Sequence, residues 1–266
     1  MSGREAVGVE VRGAVTAIER APGVPVLAGL DLSVRPGSCH GIVGGSGSGK
    51  TTLLRVLLGR VTIRAGSVTI GRHAVPPPPP ARLEFARTVG LVPQDAVGSL
   101  DPVGPIWWSV TEGLRIQAGV SRAEARAAAT ALLPRVGLDP ALADRRGGEL
   151  SGGQAQRACL ARAIATGPGL ILADEPTSAL DPVLEASVLD LLARVRAETG
   201  ATLLIVAHSL AVVRTWCDDV TVLHLGRAVE RGPATRVLSA PIHEHTRALV
   251  EASADLNPGG GPPANP

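Results

Sequence analysis

The feature that most constrains this chain is its single lysine, Lys50, which lies inside Gly44-Gly45-Ser46-Gly47-Ser48-Gly49-Lys50-Thr51-Thr52. Every other long cationic side chain is arginine. The position that keeps lysine therefore needs something a planar guanidinium fork cannot supply: a compact ammonium on a straight stem. The pattern G-x-x-x-x-G-K-T meets that description. Its backbone N–H groups cradle phosphates, the lysine reaches the β- and γ-phosphate oxygens, and the Thr51 hydroxyl is placed to bind Mg²⁺. The context agrees with this Walker A reading. His40-Gly41-Ile42-Val43 reads as a buried strand leading in, and Thr51 to Leu58 as a helix leading out, its N-terminus aimed at an anion. Such a strand–loop–helix unit calls for an α/β fold and a nucleoside triphosphate as ligand.

The rest of the composition limits what can be built around that unit. At 266 residues and 27.1 kDa the chain suits one large α/β domain with a small lobe inserted. A net charge of +2, with arginines scattered along the chain, gives no basic stripe for nucleic acid. The first twelve residues lack the apolar core of a signal peptide. The longest apolar runs, Leu170 to Ala173 and Leu203 to Ala207, are far short of the roughly 20 residues that cross a bilayer. Both read as buried strands, and any membrane role has to come through a partner. Cys39, Cys159 and Cys217 are widely separated and suggest neither a disulfide nor a metal framework, which suits a reducing cytosol.

Organisation along the chain follows from periodicity and turn residues. Residues 1 to about 38, and Gly66 to Gly71, alternate apolar and polar and predict short antiparallel strands. Pro76 to Pro80 predicts an exposed extended loop. Val89 to Val92 reads as a strand ending at Pro93-Gln94, and residues 95–165 turn helical. Within them Ser121-Arg122-Ala123-Glu124 has the form of a capping box, and Gly137-Leu138-Asp139-Pro140 marks an exit. Beyond Thr166 strands and helices alternate again, with a hairpin turn expected at Gly226-Arg227. The Gly/Pro tail 257–266 predicts disorder.

Two further motifs join the first. Leu170-Ile171-Leu172-Ala173-Asp174-Glu175 is an apolar strand ending in two acids, the Walker B pattern. Asp174 would enter the Mg²⁺ shell and Glu175 would polarise the attacking water. About twenty residues earlier, Leu150-Ser151-Gly152-Gly153-Gln154 opens a helix read over Ala155 to Ala165. Alone it is an ordinary helix cap; in this order and spacing it resembles the signature of ATP-binding cassette (ABC) ATPases. The resemblance covers about residues 8 to 238. It implies a RecA-like P-loop NTPase core with an N-terminal antiparallel β subdomain and an inserted helical subdomain at about 95–165, followed by a C-terminal segment 239–256.

That resemblance also assigns roles. Gln94 resembles the Q-loop glutamine that touches Mg²⁺ and water, and Ser178-Ala179-Leu180-Asp181 the D-loop that crosses a dimer interface. His208 resembles the switch histidine at the γ-phosphate. Cassettes of this family pair head to tail, so Ser151, Gly152, Gly153 and Gln154 of one subunit complete the site built on Lys50 of another. Where the family places an aromatic residue to stack on adenine, this chain has Val15-Thr16-Ala17-Ile18. Base stacking is worth about 1–3 kcal/mol, so weaker affinity and looser choice between ATP and GTP are expected.

Gln94-Asp95-Ala96-Val97-Gly98-Ser99-Leu100-Asp101-Pro102 and Ala240-Pro241-Ile242-His243-Glu244-His245-Thr246-Arg247-Ala248-Leu249 are similar to segments of oligopeptide, dipeptide and nickel importer ATPases, with Glu244-His245 in place of Pro-Tyr. This resemblance implies two membrane permease subunits, a second cassette (identical or paralogous), an extracytoplasmic binding protein acting indirectly, and a place on the cytoplasmic face of the membrane. A soluble ABC ATPase, such as an accessory cassette of a phosphonate-degrading complex, is the alternative. Trp107-Trp108 is unusual for the subfamily. The pair either packs within the helical lobe or presents an anchor to the permease.

Overall fold

The computed structural model describes residues 5–21, 23–178 and 180–255. The early alternation becomes antiparallel sheet. β1 (Val9–Thr16) buries Val9, Val11 and Ala14, while the hairpin strands β2 (Glu19–Ala21) and β3 (Val24–Pro25) lead to β4 (Ala28–Val34), antiparallel to β1. After β5 (Cys39–Val43) and α1 (Lys50–Leu57), β6 (Ile63–Ile70) returns to the free side of β1, and β7 (His73–Ala74) extends that edge. The proline run is mostly exposed and tightens into a 3₁₀ turn at Pro79–Ala81 rather than staying extended, because it feeds α2 (Arg82–Thr88).

From β8 (Val89–Val92) the chain enters the helical lobe: α3 (Ile106–Val110), α4 (Glu112–Ala118), α5 (Arg122–Leu132) and α6 (Gly152–Ile164). The expected capping box opens α5: Ser121 Oγ accepts the Glu124 N–H at 3.3 Å and Glu124 Oε2 accepts the Ser121 N–H at 2.8 Å. Gly137, in the left-handed region at φ 71°, ends the 3₁₀ turn that follows. Then come β9 (Leu170–Asp174), α7 (Pro182–Thr199), β10 (Thr202–Val206), α8 (Leu210–Trp216), β11 (Asp219–His224), β12 (Arg227–Pro233), α9 (Ala234–Ser239) and α10 (Glu244–Asp255).

The main sheet has the order β12-β11-β5-β10-β9-β8, parallel except for the β11–β12 hairpin. β5 and β10 are buried along their whole length, as strands covered on both faces must be. Side chains of β9 and β10 alternate between two cores with a period of two. Leu170, Leu172, Leu204 and Val206 join α1 and the antiparallel sheet, whereas Ile171, Ala173, Leu203 and Ile205 join α6, α7, α8 and the helical lobe.

Two further expectations change. The hairpin turn is Leu225-Gly226, one residue earlier than read, because His224 pairs with Arg227 and both turn residues take positive φ, 49° and 79°. α6 starts at Gly152 rather than Ala155, since the Ser151 side chain caps it. Cys39 and Cys217, remote in sequence, meet with their sulfurs 3.7 Å apart, both free and buried. The neighbouring Cys39 thiol and burial push the Cys217 thiol up. The tail 257–266 and Ala179 lie outside the described residues.

Candidate active site

Four neighbouring parallel strands release their chains at one edge of the sheet. β5 runs into the loop Gly44–Gly49 and Lys50, β10 into His208, β9 into Asp174 and Glu175, and β8 into Gln94. The register aligns these ends, with Ile42 opposite Val206, Val206 opposite Asp174 and Val92 opposite Ala173. Ligands of open parallel sheets bind outside such carboxyl ends. Residues spread over 165 positions of sequence thereby converge on one place.

The loop is shaped by contact with its surroundings. Gly44 has φ 155°, and a Cβ there would run into the Leu223 carbonyl and the Ser48 hydroxyl, so only glycine fits. Gly226 N–H donates to the Ser48 carbonyl at 2.9 Å, fixing the loop from behind. Lys50 is only 6% exposed, and its Nζ donates to the Gly44 and Gly45 carbonyls at 2.7 and 3.1 Å. Burial lowers its pKa, against the opposing pull of Glu175 and Asp174. At this site two buried polar atoms have no partner among the described residues: Ser48 Oγ and Asp174 Oδ1. Burial raises the Asp174 pKa, and the Glu175 charge adds to that rise.

Glu175 is the most constrained group of the site. Its φ of 45° is a left-handed conformation that a non-glycine side chain adopts at a cost of about 1–2 kcal/mol. Its N–H donates to the Val206 carbonyl at 3.0 Å, so the strain aims the side chain while keeping the sheet bonded. The carboxylate, in a residue 8% exposed, is held from both sides. Gln94 Nε2 donates to Oε2 at 2.8 Å, and His208 Nε2 lies 2.6 Å from Oε1. The His208 side chain itself is 57% exposed. Val26, the loop from Ser46 to Thr52, Glu175 and His208 enclose a cavity of about 190 Å³. Backbone N–H groups at the start of α1, one ammonium and paired carboxylates suit a phosphate anion together with a cation.

The structure does not bring Ser151 to that cavity. Ser151 is exposed at the N-terminus of α6, where its Oγ accepts the Gln154 N–H at 3.3 Å and Gln154 Oε1 accepts the Ser151 N–H at 3.0 Å. With Gly153 and Gln154 it borders a different cavity, of about 410 Å³, also lined by Gly137, Arg157 and Leu184. Asp181 is likewise engaged locally: its Oδ1 accepts the Val183 and Leu184 N–H groups, each at 3.0 Å, to cap α7. On the base side Val26 replaces any aromatic wall, and Ile18, whose carbonyl accepts the Val26 N–H at 2.9 Å, is 45% exposed.

Both tryptophans are half-buried within the helical lobe. Trp107 packs on the core and meets Trp108 edge-on, at 5.5 Å and 81°, while the Arg115 guanidinium covers the Trp108 face at 3.3 Å. A separate groove, with no counterpart among the sequence motifs, lies along α4. A cavity of about 750 Å³ runs between α2, β8 and α4, with Leu83, Phe85, Ile116, Pro93 and Arg162 in its walls. Ile116 (68% exposed) and Leu83 (50%) are the sequence signals that would have marked it: large apolar residues on the outer faces of short helices.

Known proteins agree with this geometry. A family model described as ABC transporter matches residues 27–178. The probable D,D-dipeptide transport ATP-binding protein DdpF of Escherichia coli K12 is 38% identical over 229 residues, covering 86% of this chain and 70% of that protein. The nickel import ATP-binding protein NikE of Pseudomonas putida is 39% identical over 228 residues, covering 85% and 84%. A methionine import ATP-binding protein, MetN of Cereibacter sphaeroides, is 42% identical over 231 residues, covering 86% and 64%. Among solved structures, the dimeric post-hydrolysis state of the cassette MJ0796 bound to ADP and Pi superposes with a TM-score of 0.76 at 27% identity, covering 85% of this chain and 98% of that one. With the loop, the paired acids and the fold all in place, the chain belongs to the ABC transporter family and is an ATPase.

Proposed function

We propose that this chain is the ATP-hydrolysing subunit of an import system for peptides, nickel or a metal chelate, working on the cytoplasmic face of the membrane through two permease subunits and a second cassette. The observation that carries the reading is the separation of the two half-sites: Lys50 and Ser151 border different cavities of one chain. A site whose parts lie apart in one copy is completed by a second copy or a paralogue, facing it head to tail. The solved structure of the cassette MJ0796, a dimer bound to ADP and Pi, supports that arrangement. The relatives named for dipeptide transport and nickel import support the cargo class.

In this reading the N–H groups of Gly45 to Thr52 cradle the phosphates, and Lys50 leaves the Gly44 and Gly45 carbonyls to pair with them. Mg²⁺ fits the donor set, because Asp174 Oδ1 is buried without a partner and the raised pKa of that carboxyl relaxes when a cation shares its site. Thr51, Asp174 and Gln94 would hold the ion, which neutralises phosphate charge when bound. Glu175 gives up its contact with His208 and takes a proton from the attacking water. His208, freed, turns to the γ-phosphate, while Ser151 and the α6 N-terminus arrive from the partner. Asp181 lies in the crossing loop at the contact between the two copies.

Closure of the dimer moves the permease, and the groove between α2 and α4 is the surface for it. Its walls join apolar Leu83, Phe85, Pro93 and Ile116 to charged Arg82, Glu112 and Arg162, and β8 connects it directly to Gln94. No helix among the described residues is long and apolar enough to cross a membrane, so the membrane path belongs to partners. Ile116→Glu places a charge in the groove, far from the phosphate loop. It should leave the chain's own ATPase within about twofold and abolish its retention on membranes carrying the co-expressed permeases. Full retention by the variant would remove the groove from the account.

A further inference from the structure

The C-terminal segment departs from the subfamily pattern in a chemical way: Glu244-His245 stands where Pro-Tyr is usual. α10 lies against β12 and contributes Leu249 and Val250 to the larger core beside Val229. Its start is tied down by Glu230, whose carboxylate accepts the Ile242 and His243 N–H groups at 2.9 and 3.1 Å. Three imidazoles gather at this junction. The His245 ring lies on the His224 ring with centroids 3.8 Å apart and planes tilted 36°, and His243 Nδ1 accepts the His245 N–H at 3.1 Å.

His224 is not a remote anchor. It is the last residue of β11, flanked by Leu223 and by the strained turn Leu225-Gly226. Leu223 presses its carbonyl toward Gly44, and Gly226 donates its N–H to Ser48 while its own carbonyl accepts the Ala28 N–H at 3.0 Å. The phosphate loop therefore rests on β11 and its turn, and the His224 ring in the middle of that support is covered by His245 from α10.

We propose that His245 is a positioning residue for the nucleotide loop and makes that support sensitive to protons. The stack holds while the His245 imidazole is neutral. Its Nε2 is buried with no hydrogen-bond partner among the described residues, so a proton there gains no acceptor from them and loses its water. The charge would also meet the His224 ring and His243. Around it, Glu244 offers an opposing charge on its own helix, and Glu230 is already occupied by backbone N–H groups. Burial, then His224 and His243, depress the His245 pKa in the docked helix. The sign follows from linkage: docking is fully supported above the ordinary imidazole value of about 6.5 and is lost as pH falls below it. Releasing the stack loosens the turn behind Ser48, so nucleotide affinity falls while the machinery at Glu175 is unchanged.

This inference rests on the reading of Gly44 to Thr52 as the nucleotide loop. The test measures ATP affinity and hydrolysis of the full chain at pH 8 and pH 5.5, for the parent, His245→Phe and His245→Ala. Phenylalanine keeps an aromatic face on His224 and cannot take a proton. The expected result is a loss of affinity of about fivefold for the parent between the two pH values, at the low end of site-to-site couplings, with less than twofold for His245→Phe. His245→Ala should bind about fivefold more weakly than the parent at both pH values, and kcat should follow one common pH profile in all three. The inference is overturned if His245→Phe loses affinity in parallel with the parent, or if His245→Ala matches the parent at pH 8. Failure of all three proteins to bind ATP at pH 8 would instead overturn the nucleotide-loop reading beneath it.

Discussion

The strand-end cluster and the start of α6, which the proposed function makes two halves of one chemistry, are built in opposite ways. Around Lys50 and Glu175 everything is drawn inward: both residues are under 9% exposed, and the ammonium and carboxylate are bonded within the chain. At Ser151 the side chain is exposed and occupied only by its own helix cap. A buried, strained base is set in position before any ligand arrives, and that pre-organisation is what an active site requires. An exposed helix N-terminus bordered by two glycines is a surface prepared for something that comes from outside. The contrast explains how one chain can carry a complete set of reactive groups and still depend on a second.

Three experiments press on that contrast. Glu175→Gln removes the base while keeping size and the contact with Gln94. ATP hydrolysis should fall by about a thousandfold, within the range for loss of a general base, and the variant should accumulate as an ATP-bound dimer on size exclusion. A variant that stays monomeric with ATP and turns over at the parent rate would move the base elsewhere. Ser151→Asp is the sharper probe of the other half. Aspartate caps a helix as well as serine, so thermal stability should hold, but its carboxylate would oppose incoming phosphate. Hydrolysis should drop by about a hundredfold, comparable to losing one stabilising donor, while nucleotide binding to the isolated chain stays within about twofold. If the variant's ATPase is intact, the two halves do not meet in the reaction.

The third effect is smaller and concerns the sheet beneath the site. His40, on β5, has Nε2 2.9 Å from Thr221 Oγ1, and burial pushes its pKa down to about 4. The neutral ring is therefore the folded form, and the unfolded chain takes the proton first. The stability it contributes is complete above about pH 6.5 and lost on the way down to 4, amounting to about 2 kcal/mol at pH 5. Urea unfolding at pH 7 and pH 5 should show that loss in the parent and a clearly smaller one in His40→Gln. Equal losses would assign the acid sensitivity to other groups.

How far the site was legible depended on how local its parts are. The loop from Gly44 to Thr52 and the acids Asp174 and Glu175 each consist of contiguous residues whose spacing is their function, so reading them needed no fold. Gln94 and His208 were found only through resemblance, since a lone glutamine after one strand and a lone histidine after another carry no pattern of their own. The turn at Leu225-Gly226 was misplaced by one residue because leucine rarely takes a positive φ; contacts with Ser48 and Ala28 hold it there. The proximity of Cys39 to Cys217, the stack of His245 on His224 and the groove under Ile116 had no sequence signal sufficient to place them.

By itself the sequence determined the α/β class, the phosphate loop and the family, because these rest on short-range geometry: the period of buried strands, the glycines a loop needs, the charge that only lysine delivers. The tertiary structure decided what the residues do to one another. It set Gln94 and His208 on either side of Glu175, left Ser151 and Lys50 at different cavities, and tied the loop to Gly226 from behind. Those relations are fixed by strand order and register across 165 positions of chain, and no local pattern encodes the order in which strands meet.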